Sequence, residues 1–147
     1  MQSDPLSFRQ ALEADVPFLL ALRERTMAGH QLASGVEPSE AERERRVRAR
    51  FDCAQIILLA GEPVGLLKVI KDGSQWELMQ IQLVPERQRA GLGARIVQSV
   101  ISDARRAGAS LTLRVLRANP ARQLYERLGF VVVSEGPHSC EMRLRDL

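Results

Sequence analysis

The chain has 147 residues, 45% of them hydrophobic, with a net charge of +3, which suits one soluble domain large enough to bury a sizeable core. No apolar run approaches the roughly 18 residues of a membrane span, and the start MQSDPLSF lacks a signal peptide's basic and apolar regions, so a cytoplasmic protein without a membrane partner is expected. Two cysteines, Cys53 and Cys140, make neither a disulfide framework nor a paired metal motif, so no metal is expected.

In chain order, residues 6–10 (LSFRQ) alternate as a short strand. Asp15 then caps a helix running to about His30, with Pro17 in its first turn. After the loop SGVEP, Ser39 to Glu42 fits a capping box that starts a second, charge-rich helix to about Cys53. Val47 and Phe51 give that helix its inward contact. Three apolar runs follow, 55–60, 64–70 and 75–84, joined by Gly61-Glu62-Pro63 and Asp72-Gly73, and they read as an antiparallel meander. From Gly91 the apolar positions Leu92, Ile96, Val97, Val100, Ile101 and Ala104 recur at helical spacing until Gly108. Residues 110–116 alternate as a strand, Asn119-Pro120 opens a helix closed by Gly129, and strands at 130–135 and 139–144 finish the chain. The order β-α-α-β-β-β-α-β-α-β-β predicts an α+β fold with a mixed, mostly antiparallel sheet of about six or seven strands and about four helices. Its one crossover uses the helix from Gly91.

The strand at 75–84 runs into QRAGLG (88–93), two glycines at the mouth of an amphipathic helix. Glycine there lets backbone amides approach a ligand closely, and a helix N-terminus favours phosphate. A Walker loop needs four residues between its glycines and then Gly-Lys-Ser/Thr, which the chain lacks. A dinucleotide fingerprint needs a third glycine where Ile96 stands. A pyrophosphate on the amides of residues 89–94, with Arg87, Arg89 and Arg95 around it, fits; a plain tight turn fits the glycines as well.

The stretch IQLVPERQRAGLGARIVQSVISDARRAG, followed by LRVLRANPARQLYERLGF, resembles the GNAT superfamily of N-acetyltransferases. Gln88, Gly91 and Gly93 meet its Gln/Arg-x-x-Gly-x-Gly/Ala signature, and a Val-Pro-Glu lead-in, an Asn at the next strand-helix junction and Leu-Tyr-x-x-x-Gly-Phe also match. The close resemblance covers about residues 76–135; the first 75 residues agree only in the order of elements. It implies one acetyltransferase domain over 1–147, with acceptor-side helices at about 13–54 and acetyl-CoA as co-substrate. The pyrophosphate would lie on Gln88, Arg89, Ala90, Gly91, Leu92, Gly93 and Ala94. The backbone of Ile81, Gln82 and Leu83 would bind the pantetheine arm like an added strand. A strand amide near Leu83 would be the oxyanion donor.

For the chemistry, the resemblance implies Tyr125, the chain's only tyrosine, as proton donor to the thiolate leaving group. Glu77, eleven residues before Gln88, stands where some family members carry a glutamate base, and partial burial beside Trp76 and Met79 would raise its pKa. Asn119 is read either as a coenzyme contact or as a helix cap. Arg23, Thr26, Met27 and His30 lie close to one helical stripe. Thr26, Met27 and His30, with Trp76, are candidates for the acceptor site, and His30 for an alternative base. The expected activity is acetyl transfer to a primary amine, on a small molecule or a protein. The alternatives are a catalytically silent CoA-binding module and, given ERERRVRAR and DARRAG, a nucleic-acid binder. Interleaved glutamates and few aromatics speak against the last, so no nucleic-acid partner is expected. Homodimer formation is left open.

Overall fold

The computed structural model describes residues 4–34, 39–88 and 91–145, and of residues 27–34 only the backbone. Its elements are β1 Leu6–Gln10, α1 Val16–Ser34, α2 Glu40–Arg48, β2 Ala54–Leu59, β3 Glu62–Asp72, β4 Gln75–Leu83, α3 Leu92–Ala107, β5 Ser110–Leu116, α4 Ala121–Arg127, β6 Phe130–Glu135 and β7 Ser139–Leu144. This is the expected order and the expected α+β class. The seven strands form one mixed sheet in the order β1-β2-β3-β4-β5-β7-β6. The described chain falls into two compact units, one from Met1–Lys68 and Gln80–Gln88, the other from Val69–Met79 and Arg89–Leu147.

In the first unit β1 and β2 pair antiparallel, from Leu6↔Leu59 to Gln10↔Gln55. Against them pack Leu19 and Leu22 of α1 and Val47 of α2, in a core with Ala11, Ala54, Ile56 and Leu66. The β2–β3 turn consists of Ala60 (φ 52°) and Gly61 (φ 82°), two left-handed residues whose twist matches that of the flanking strands. The predicted Gly61-Glu62-Pro63 turn therefore lies one residue earlier in the chain, and β3 starts at Glu62.

Three helix boundaries in this unit differ from the sequence expectation, each for a local reason. Asp15 does not cap α1: its carboxylate binds the Arg9 guanidinium at 2.8 and 2.9 Å and accepts the Leu12 amide, one turn before the helix begins. Helix α1 continues to Ser34, past His30. Helix α2 is capped by Ser39, whose hydroxyl accepts the Glu42 amide as the capping pattern predicts, but it stops at Arg48 rather than near Cys53. Arg50 turns left-handed (φ 50°), and Phe51–Cys53 form a separate 3-10 turn. The fully buried Lys68 seals that stop: its Nζ donates to the carbonyls of Val47 (3.0 Å), Ala49 (2.6 Å) and Arg46 (3.4 Å).

In the second unit α3 buries Leu92, Ile96, Val97, Val100, Ile101 and Ala104, the stripe read from the sequence, and ends at left-handed Gly108. Each large apolar side chain so buried contributes about 1.5–3 kcal/mol, so the stripe outweighs any single cap of about 1 kcal/mol. Beneath it lie Leu111, Leu113 and Val115 of β5, with Phe130, Cys140, Met142 and Leu144. Strand β4 pairs with β5 in parallel only over Gln75–Leu78 and Ser110–Leu113, while β5 pairs with β7 onward to Leu116. Trp76 and Leu78 share the buried face with Leu111 and Leu113, whereas Glu77 faces the other way with Thr112.

Candidate functional site

The start of α3 is built to present bare backbone. Gly91 holds φ 76° at the N-cap, a conformation that favours glycine, and it supplies no side-chain cap. The first intrahelical bond runs from the Arg95 amide to the Gly91 carbonyl, so the amides of Leu92, Gly93 and Ala94 have no helical partner by position. No acid stands in this first turn, which leaves the positive end of the helix dipole unopposed by side chains of the turn itself. Gly93 is helical, and a Cβ built on it would meet only Leu124 Cδ2, at 3.9 Å. Packing within the unit thus does not demand glycine there, and an alanine would favour the helix by about 1 kcal/mol. A glycine at such a position keeps a cradle that a side chain would fill. Leu92 contributes only its backbone, because its side chain belongs to the core. Arg89 and Ala90 lie outside the described residues.

Leu124 neighbours Tyr125 on α4, so the unit brings the α3 start against the helix that carries the tyrosine. The Tyr125 ring is buried (8% exposed) and packs edge-on against Phe130, centroids 5.9 Å apart. Burial pushes its phenol above the ordinary value, which keeps it protonated and able to donate at neutral pH. Asn119 Oδ1 accepts the Ala121 amide at 2.9 Å and so closes the start of α4.

In the first unit the backbone of Ile81, Gln82 and Leu83 ends β4 half-buried. Gln88 folds back so that its Nε2 donates to the Leu83 carbonyl at 3.0 Å, tying the loop residue to the strand end. Thr26 on α1 donates to the Leu22 carbonyl and accepts Gln82 Nε2 at 3.2 Å, so an acceptor-side and a coenzyme-side candidate meet. Met27 and His30 lie on α1, with side chains outside those described.

Glu77 and Trp76 face opposite sides of β4. The indole is buried, its Nε1 donates to the Gly73 carbonyl at 3.2 Å, and the Lys71 ammonium sits 4.6 Å above the ring. Trp76 is thereby committed to the core and its turn, which leaves its N–H nothing to offer an acceptor. Glu77 is exposed, and the partial burial beside Trp76 and Met79 expected for it is not found, because strand alternation puts it on the opposite face from Trp76. It lines a cleft of about 360 Å³ with Asp72, Thr112, Glu141 and Arg143, and the edge of Trp76 borders the same cleft. A second cleft, of about 620 Å³ beside Arg105, Arg143 and Arg145, contains none of the predicted residues.

One residue that the sequence reading passed over shapes the strand end. A Cβ on Gly65 of β3 would come within 2.2 Å of the Gln82 carbonyl and 2.9 Å of Leu83 Cδ2. Only glycine lets β4 lie as it does there. The available signal was an isolated glycine inside an apolar strand, which marks close backbone approach. Among the described residues no cluster of three or more His, Cys, Asp or Glu side chains could hold a metal, and no helix is long and apolar enough to cross a membrane.

Residues 61–137 match the family model described as FR47-like protein. No curated protein sequence matches the chain. In structure the chain is similar to an acetyltransferase from Thermus thermophilus (TM-score 0.75, 22% identity, all of both chains covered). It is also similar to the PaiA N-acetyltransferase of Thermoplasma acidophilum in complex with coenzyme A (TM-score 0.73, 17% identity, covering 97% of this chain and 99% of that one). A third likeness is to yncA of Salmonella typhimurium with its cofactor acetyl-CoA (TM-score 0.67, 19% identity, covering 96% and 94%). At these identities the likeness is one of fold.

Proposed function

Because the chain belongs to the FR47-like family of the GNAT superfamily of N-acetyltransferases, we propose that it transfers an acetyl group from acetyl-CoA to a primary amine. The observation that carries this reading is the open start of α3, where Gly91 and Gly93 clear the first-turn amides beside the helix of Tyr125. The residues fit the co-substrate: bare amides at a positive helix end suit a pyrophosphate, and the β4 end suits an extended amide-bearing arm. The coenzyme similarly accompanies two of the neighbouring folds.

Acetyl-CoA supplies an activated thioester; the chain supplies position and protons. The amides of Leu92, Gly93 and Ala94 hold the pyrophosphate, and the backbone of Ile81, Gln82 and Leu83 orients the arm. A strand amide near Leu83 donates to the carbonyl oxygen as negative charge gathers on it. The Tyr125 phenol protonates the departing sulfur. Exposed Glu77 is the candidate to take up the amine's proton, with His30 the alternative base. Thr26, Met27 and His30 stand on the acceptor side. The protein acts in the cytoplasm on a small-molecule or protein amine.

Calorimetric titration with acetyl-CoA and with CoA, ATP serving as control, tests the cofactor assignment. Amine-dependent release of CoA thiol then separates an enzyme from a silent CoA-binding module, which would bind the coenzyme and release none. Tyr125→Phe is expected to lower kcat by about 10²-fold with CoA affinity unchanged. The wild-type rate should lose its Tyr125-dependent part only above the ordinary phenol range, since the raised pKa keeps the donor protonated below it. Normal turnover by Tyr125→Phe would remove the phenol from the mechanism.

A further inference from the structure

Arg23 on α1 is a buried charge without a counter-ion. It is 9% exposed, its Nε has no hydrogen-bond partner, and no carboxylate among the described residues forms an ion pair with it. The charges around it are mostly of its own sign. Lys68, fully buried, has its ammonium engaged by the α2 carbonyls. Arg46 on α2 is close enough to oppose Arg23's charge, and the nearby acid, Glu42, is already bound by Arg46 at 2.8 Å. Burial, then Arg46, holds the Arg23 guanidinium below its ordinary value, with Glu42 acting weakly the other way. On α2 the Nε of Arg43 is also buried without a hydrogen-bond partner, but its guanidinium has a counter-ion, with Nη1 4.0 Å from the Glu24 carboxylate.

One helical turn along α1, Thr26 takes Gln82 Nε2, which leaves Gln82 Oε1 buried and unpartnered. The first unit therefore carries one buried guanidinium without a counter-ion, on α1, and one orphaned amide acceptor, at the end of β4. Buried polar groups of this kind are costly unless something completes them. Surplus cationic donors call for a compact oxyanion, and a guanidinium fork matches a carboxylate. An amide oxygen calls for an N–H donor. A single small molecule that offers both is an amine bearing a carboxylate.

We propose that the acceptor is an amino acid or a close carboxylated amine, with Arg23 taking the carboxylate and Gln82 Oε1 the amine. This rests on the N-acetyltransferase reading and narrows its substrate class.

The test pairs each amino acid with its decarboxylated counterpart, such as phenylalanine with phenethylamine and tyrosine with tyramine, in the CoA-release assay on the intact protein. For at least one pair kcat/KM should favour the carboxylated member by about 30-fold or more, chiefly through KM. Arg23→Met should bring that ratio down toward one, and Arg23→Lys, which keeps the charge without the fork, should retain part of it. Should Arg23→Met fail to fold, the wild-type ratio and the lysine variant decide. Equal turnover of both members in every pair, or of neither while acetyl-CoA still binds, overturns the proposal. Failure to bind acetyl-CoA at all would mark the N-acetyltransferase reading itself as wrong, and this inference would fall with it.

Discussion

Helices α2 and α3 begin in opposite ways. The start of α2 is closed by its own chain: Ser39 Oγ accepts the Glu42 amide at 3.1 Å, and Glu40 and Glu42 place negative charge on the first turn. The start of α3 has glycine at the cap and no acid in the turn. The far ends differ less, for Lys68 seals α2 and left-handed Gly108 seals α3. What separates the two helices is how they are held. α2 buries one residue, Val47, and depends on caps and on the pairs Glu42–Arg46 and Glu44–Arg48. α3 buries six apolar side chains and stays helical whether or not its first amides are satisfied. An uncapped end can be kept for a ligand only on a helix that packing already holds.

The strongest way to break this contrast is to close α3 as α2 is closed. Gly93→Asp puts a carboxylate on the first turn, where it opposes the dipole's positive end and fills the cradle. Stability should hold or rise slightly, by about 0.3–1 kcal/mol from the charge–dipole interaction, while affinity for acetyl-CoA falls at least about 100-fold, close to 3 kcal/mol. Calorimetry and thermal melts read the two effects separately. A variant that binds acetyl-CoA as well as wild type would show that the α3 amides do not hold the pyrophosphate.

Much of this contrast was legible in the sequence. The α3 stripe from Leu92 to Ala104 and the bounds of β5, β6 and β7 follow from strong periodicity between glycine and proline punctuation, and the Ser39 cap follows from its motif. The α2 stop was not legible, because it is set by left-handed Arg50 and by Lys68, which is distant in sequence and reads locally as an ordinary strand residue. Asp15 looked like a cap because the pull of Arg9 on it arises only once β1 is formed. Glu77's exposure turns on which face of β4 is covered, and spacing alone does not fix that. The orphaned Arg23 and Gln82 were invisible for the same reason: a missing partner is a property of three dimensions. Gly65 did leave a mark, a glycine inside an apolar strand, whose meaning appeared with the Gln82 carbonyl beside it.

A smaller effect tests whether α2 depends on its seals. Lys68→Met removes the donor shared by three carbonyls at the end of α2. Leaving buried carbonyls unmet costs about 1–3 kcal/mol. Part of this is offset because the variant no longer buries a charge, a strain visible in the Lys68 pKa, which burial and then Arg23 push down. A net loss of about 2 kcal/mol is expected in urea unfolding, with the α3 end untouched. No loss of stability would mean that Val47 and the surface ion pairs suffice to hold α2.

The smallest effect belongs to the other end of the same helix. Ser39→Ala frees the Glu42 amide and should lower stability by about 1 kcal/mol. Because α2 has so little apolar burial, that loss should appear first as fraying of residues 40–43, with faster amide exchange there than in the core strands. The exchange pattern matters more than the total. If Ser39→Ala lowers stability uniformly and α2 does not fray ahead of the unit, then α2 is held cooperatively by the core through Val47, and the two helices differ less in their support than their ends suggest. Local fraying at 40–43 would instead show that α2 needs the cap that α3 leaves out.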